Sequence, residues 1–160
     1  FFSFLISISF YLSYPRSDKY ENFKGYSVSS THYKIVDYIE KNFEKSNYVV
    51  LADQSVGASL IDSWGFKKYF KDEFYYSLPT NIKGNIYSDF IQMTKEESYK
   101  LYTVKNVANK TGATLVIFVL NNYWDYTDKL LDEHKKLSQK WVEIDAGKAY
   151  IFQYIPNIKN

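Results

Sequence analysis

Three short polar stretches of this chain carry residue types that can do chemistry, and each follows an apolar run. They are Asp53-Gln54-Ser55, Pro79-Thr80-Asn81 and Asn121-Asn122-Tyr123-Trp124-Asp125. If the runs before them are strands of one open sheet, these stretches sit where such sheets bind ligands, outside the carboxyl ends of the strands. Should the first and third strands be neighbours, Asp53 and Asp125 face each other across a crevice. A carboxylate pair there can act as general acid and base or hold a divalent cation. Gln54, Asn121 and Asn122 can bond to hydroxyls, and Trp124 can stack on a sugar ring. A second reading uses the same residues differently. Asp, Asn and Ser just ahead of a helix are what N-capping requires, and both the Asp53 and the Asn121–Asp125 stretches precede apparent helices. Spacing alone leaves capping and a ligand crevice both open.

Other chemistries are poorly supplied. The chain has no cysteine, so disulfides, thiolate zinc sites and cysteine nucleophiles are excluded. Its two histidines, His32 and His134, are far apart in sequence and offer no His-rich metal site. His134 falls on the apolar face of a helix and reads as a packing residue, while His32 opens a helix with no partner visible in the sequence. Ser55-Val56-Gly57 has no neighbouring histidine and is not read as a nucleophile. Phosphate-cradling glycine loops, the nucleophile-elbow motif and paired zinc-helix histidines are absent, so no cofactor or metal is expected. A formal charge of +2 gives no strong attraction to nucleic acid. FKKYFKDEFYY mixes bases with rings, yet Asp72 and Glu73 interrupt it, and it reads as a solvated loop. Asn109-Lys110-Thr111 is a glycosylation triplet at the end of an expected helix. The 17 Tyr and 12 Phe fit either a compositional bias or an interface that keeps ring hydroxyls wet.

The elements that must position these groups follow from periodicity. Ile35, Val36, Ile39 and Phe43 recur at helical spacing behind a Ser29-Ser30-Thr31 cap. YVVLAD reads as a buried strand, and Gly57 to Trp64 as a short helix stopped by Gly65. Phe74 to Leu78 predicts a second strand, and Ile86, Phe90 and Met93 a short helix. Thr94-Lys95-Glu96-Glu97 has the form of a capping box, predicting that a helix through Leu101, Val104 and Ala108 starts there and ends at Gly112. TLVIFVL, from Thr114 to Leu120, is unbroken in its apolarity and predicts a strand buried on both faces. A helix from Asp125 or Thr127 carries Leu130, Leu131, His134 and Leu137, and WVEID and KAYIFQY flank Gly147 as a hairpin. This alternation predicts an α/β three-layer sandwich with a mainly parallel sheet and a C-terminal antiparallel hairpin.

The first residues, FFSFLISISFYLSYPRSD, raise the question of a membrane. Ile6, Ile8, Phe10 and Leu12 alternate with Ser7, Ser9, Tyr11 and Ser13, as a strand would. As a helix, residues 1–14 at about 1.5 Å each fall short of the roughly 30 Å hydrocarbon core. They match the end of a transmembrane helix, with Tyr11 and Tyr14 at the interface and Pro15-Arg16 marking its exit. The expected organisation is therefore 1–14 as the end of a membrane helix, 15–30 as a linker, 31–156 as the soluble α/β domain and 157–160 as a tail.

An apolar helix end running into YPRSD, the helix IVDYIEKN, the strand YVVLAD, a GF before an aromatic strand, LNNYW before a helix and the closing WVEIDAGKAYIFQY form a recognisable layout. It resembles the C-terminal extracytoplasmic domain of polytopic lipid-linked-sugar glycosyltransferases, relatives of protein mannosyltransferases and aminoarabinose transferases. The resemblance covers nearly the whole chain but is one of layout, with no diagnostic motif. It implies an accessory domain whose catalytic acids lie in the membrane half, so no catalytic residue is carried over to this chain. It also implies membrane lipid, the membrane portion of its own chain and a lipid-linked sugar or glycan as partners, with no nucleic acid. Two other expectations stand beside it: a single-span anchored cell-envelope module that binds carbohydrate or protein, and a small α/β enzyme using Asp53 and Asp125.

Overall fold

The computed structural model describes residues 28–43, 48–64, 76–77, 86–96, 98–122 and 126–156. The expected membrane-helix end, most of the linker, Phe66 to Tyr75 of the basic aromatic stretch, and the candidate residues Trp124 and Asp125 lie outside them. So do Glu97 and most of the predicted strand from Phe74 to Leu78.

Helix α1, Ser30–Asn42, presents Ile35, Val36 and Ile39 to the interior. Its start resolves the role of His32: the Ser29 amide donates to His32 Nδ1 at 3.0 Å, so this histidine takes the place of the Glu or Gln in a capping box. Strand β1, Tyr48–Leu51, is buried throughout. Helix α2 runs Gln54–Trp64 and starts earlier than the Gly57 expected, because Asp53 caps it. Short helix α3 is Tyr87–Met93 and α4 is Lys100–Thr111. Gly112 ends α4 with φ 73°, the left-handed stop that glycine adopts without steric cost.

The Thr94–Glu97 cap needs correction. Thr94 closes α3 instead, its hydroxyl donating to the Ile91 carbonyl at 2.8 Å, and α4 begins only at Lys100. Lys100 explains the delay: its buried ammonium turns back to the carbonyls of Lys95 and Glu96 (3.0 and 3.4 Å) and to Glu133 (2.7 Å). Those carbonyls are thereby satisfied outside any helix.

Strand β2, Leu115–Asn121, is the central strand. Helix α5, Asp128–Leu137, starts at Thr127, whose hydroxyl accepts from the Leu130 amide at 3.1 Å. The hairpin strands are β3, Lys140–Ile144, and β4, Ala149–Tyr154. The sheet order is β1-β2-β4-β3, with β1 parallel to β2 and the other two ladders antiparallel. Tyr76 adds a parallel bridge to Val50 on the far side of β1. The sheet is thus mixed, parallel around β1 and antiparallel through the hairpin, because β4 docks directly on the central strand.

Strand periodicity builds the layers. Val49, Leu51, Val116, Phe118, Leu120, Phe152 and Tyr154 point to the side covered by α3, α4 and α5. Their neighbours Tyr48, Val50, Ile117, Val119, Ala149 and Ile151 point to the side covered by α1 and α2. The result is the expected α/β sandwich of three layers. Each fully buried aliphatic or phenyl side chain contributes about 1.5–3 kcal/mol of transfer free energy.

The hairpin turn fixes where the sheet meets α1. Asp145 accepts hydrogen bonds from Thr31 and Lys34 in the first turns of α1, and Lys34 is the main reason its carboxyl is lowered to about 2. Asp145, Ala146 and Gly147 all have positive φ, at 55°, 54° and 83°. Asp visits this region with local hydrogen bonds and Gly without penalty, but Ala146 has neither excuse. Ala146→Gly is therefore expected to stabilise the protein by about 0.5–1 kcal/mol. Gly147→Ala should destabilise it, since a Cβ would sit 3.3 Å from Tyr150 Oη at a strained φ. Urea unfolding of both variants checks the opposite signs.

Candidate functional site

Strand β1 has a parallel partner on each side, Tyr76 on one and β2 on the other. The chain leaves β1 in one direction and later returns on its opposite flank, which makes the carboxyl end of β1 a topological switch point. Sequence reasoning placed its candidate crevice there. The register Leu51↔Phe118 brings Asp53, just past β1, beside Asn121, the last residue of β2.

The contacts of Asp53 decide what it does. Its Oδ1 accepts from the amides of Ser55 (2.7 Å) and Val56 (3.2 Å). Its Oδ2 accepts from the side-chain amide of Asn121. With three N–H donors and 1% of its surface exposed, this carboxylate caps α2 and ties it to the central strand. It presents no open face to a substrate. Negative charge at a helix N-terminus also complements the helix dipole.

The remaining candidates are spread out. Gln54 is the half-buried first residue of α2. Asn122 is exposed, and its amide donates to the Lys148 carbonyl (2.9 Å), so its backbone joins β2 to the hairpin turn. The structure thus brings Asp53 and Asn121 together and leaves Gln54 and Asn122 at the margin. The Asp53–Asp125 pair cannot be assembled from described residues. Among those residues no group of three or more His, Asp and Glu side chains could hold a metal ion.

Ser77 closes the other flank. Its amide donates to the Val50 carbonyl, and its hydroxyl bonds both the amide and the carbonyl of Ala52, all at 2.8 Å. This clamp was not foreseen, because Ser77 sat inside a predicted strand, where a serine gives no local signal. Ser55 Oγ is buried with no hydrogen-bond partner among the described residues.

His134 is the packing residue its position suggested. It is 0% exposed, stacked on Phe118 at 4.3 Å between ring centroids. Its Nε2 reaches the Met93 carbonyl (2.9 Å) and its Nδ1 the Tyr154 hydroxyl (2.6 Å). Donation from Tyr154 and acceptance by Met93 define a neutral ring protonated at Nε2. Burial is the main reason that its pKa falls to about 3. Asp89, buried between Asn106 (2.9 Å) and Lys110 (2.7 Å), joins α3 to α4 in the same structural way.

One surface cluster was missed altogether. Trp141 on β3 lies 6.3 Å from Tyr150 on β4, and Tyr150 meets Tyr126 edge-on at 6.5 Å. The ammonium of Lys135 sits over both Trp141 (4.7 Å) and Tyr150 (5.2 Å). Burial first, then the charges of Glu143 and Asp128, raise the Tyr150 pKa. The signal is the hairpin register, which the sequence around Gly147 leaves open and the structure supplies, placing Trp141 and Tyr150 on neighbouring strands of one face.

Two outcomes follow. Asp53→Ala removes a cap and strands the Asn121 amide, so it should cost about 2–4 kcal/mol. Ser55→Ala removes an unpaired buried hydroxyl and should be neutral or slightly stabilising; chemical denaturation distinguishes the two. For His134, the unfolded chain binds a proton below about pH 6.5 whereas the fold resists it down to about 3. Its contribution is complete above pH 6.5 and is lost as pH falls, by about 2 kcal/mol between pH 6.5 and 5. Denaturation midpoints across that window should flatten in His134→Phe.

Comparison with protein-family models, curated proteins and solved structures returns no match to this chain.

Proposed function

We propose that this chain is the accessory α/β domain of a multi-spanning glycosyltransferase-like membrane protein. In this reading residues 1–14 tether it on the extracytoplasmic side, and catalysis belongs to the membrane half, acting on a lipid-phosphate-linked sugar. The observation that carries the reading is the use made of Asp53. The described acid at the sheet's switch point spends its lone pairs on two helix amides and Asn121. His134 is likewise occupied. An accessory domain needs no reactive groups of its own, and the layout resemblance supplies the membrane context. Among the described residues no helix is long and apolar enough to cross a membrane, so the tether rests on residues 1–14.

A second reading, an anchored carbohydrate-binding module, is favoured by the Trp141–Tyr150–Tyr126 cluster. Trp141 keeps 41% of its surface exposed on an edge strand beside Glu143. Aromatic faces flanked by carboxylates suit the apolar face and hydroxyls of a sugar.

The test uses the full-length membrane protein bearing Asp53→Asn, since Asn also caps helices. Sugar transfer from a lipid-phosphate donor should stay within about twofold of the parent, while stability falls. A folded variant losing roughly 10²–10⁴-fold, the usual contribution of a general acid or base, would move catalysis into this domain. Release of the 1–160 chain from membranes by alkaline carbonate would remove the tether. Glycan-array binding that Trp141→Ala abolishes would favour the module instead.

A further inference from the structure

The sheet gives the domain two distinct ends. Strand β2 runs parallel to β1, and α4 enters β2 through the short connection 112–114, so α4 begins near the carboxyl end of β2. Glu96, just before α4, confirms this by bonding Thr127 and pairing with Lys129 (3.1 Å), residues that follow β2. The start of α1 lies at the same end, because Thr31 and Lys34 hold Asp145 in the hairpin turn beside Asn121. The chain therefore passes from residues 1–27 into the domain at the end where α4 starts.

That end carries the two most exposed large apolar side chains among the described residues, Tyr99 at 85% and Tyr102 at 71%, with Leu101 partly exposed between them at 38%. Lys100 lies between them and is turned fully inward onto Lys95, Glu96 and Glu133. With Lys100 turned inward, Tyr99 at the N-cap and Tyr102 face out, and Leu101 is partly exposed between them. Lys105, exposed one turn along α4 from Tyr102, adds a cation. Two tyrosines, a leucine and a lysine match the chemistry of a bilayer interface, where rings sit among headgroups and ammonium groups reach phosphate.

From this placement we propose that Tyr99, Leu101 and Tyr102 seat the domain against the headgroup layer of the membrane. The inference rests on the tethered reading above and adds the face that the domain turns to the bilayer.

The chain's lack of cysteine allows a direct test. Spin labels are attached singly to Tyr99→Cys, Tyr102→Cys, Asn109→Cys and Ile8→Cys in the full 1–160 chain. Each is reconstituted with vesicles of phosphatidylcholine and phosphatidylglycerol, with circular dichroism confirming the fold. Collision with a water-soluble nickel chelate should fall about threefold or more at positions 99 and 102, as interfacial burial requires. Position 109, exposed near the other end of α4, should not change. Labels at 99 and 102 that stay as accessible as 109 overturn the docking face. Position 8 then separates the two ideas: shielding there keeps the tether while docking falls, and full accessibility removes both. Equal shielding at all four positions also overturns it, as the signature of aggregation.

Discussion

Burial of β2 on both faces is the constraint from which the rest of this structure follows. Val116, Phe118 and Leu120 point one way, Ile117 and Val119 the other, and all are at most 1% exposed. A strand of this kind is stable only if helices cover both faces and other strands flank both edges. Here β1 and β4 supply the edges, α1 and α2 one cover, and α3, α4 and α5 the other. Because β1 enters parallel and β4 antiparallel, the connections differ in kind. The parallel neighbour requires a crossover through helices, whereas the antiparallel one needs only α5 and a tight hairpin.

Such a core makes every polar group within it expensive unless it is bonded. The structure answers with paired groups at the margins of the apolar layers. Asn121 ends the central strand and is taken up by Asp53. His134 lies against Phe118 and Phe152 and bridges Tyr154 to the end of α3. Lys100 offsets its burial with Glu133 and two carbonyls. Each pair joins elements distant in sequence, so these groups specify how helices seat on the sheet as well as surviving burial.

Much of this was legible where the signal is local. The apolar run of β2, the periodicity of α1 and α5, the Gly112 stop and the Gly147 turn are written in neighbouring residues, and the structure realises each. The start of α4 was misread for a physical reason: Thr94 can cap a following helix or close a preceding one, and only the distant partner of Lys100, Glu133, decides. His32 illustrates the same limit, since a histidine in the Glu position of a capping box is a substitution that pattern alone does not flag. At the candidate site, sequence reasoning named both possible uses of Asp53, the helix cap and the ligand crevice. What it could not supply was the third donor, Asn121, whose arrival depends on strand register. The Trp141–Tyr150 pairing was hidden likewise, because cross-strand neighbours become visible only once the hairpin register is known.

The exposed side of the molecule is uneven in a way the core does not require. An α4 made only to cover the sheet needs Thr103, Val104, Val107 and Ala108 inside and polar residues outside. Instead its outer first turn carries two tyrosines and a leucine, held there by the one lysine that turns inward. Replacing the two tyrosines by polar residues would cost the core little, since most of their surface is exposed. Tyr99 and Tyr102 thus stand exposed at the end where α1 begins, a placement that covering the sheet does not require.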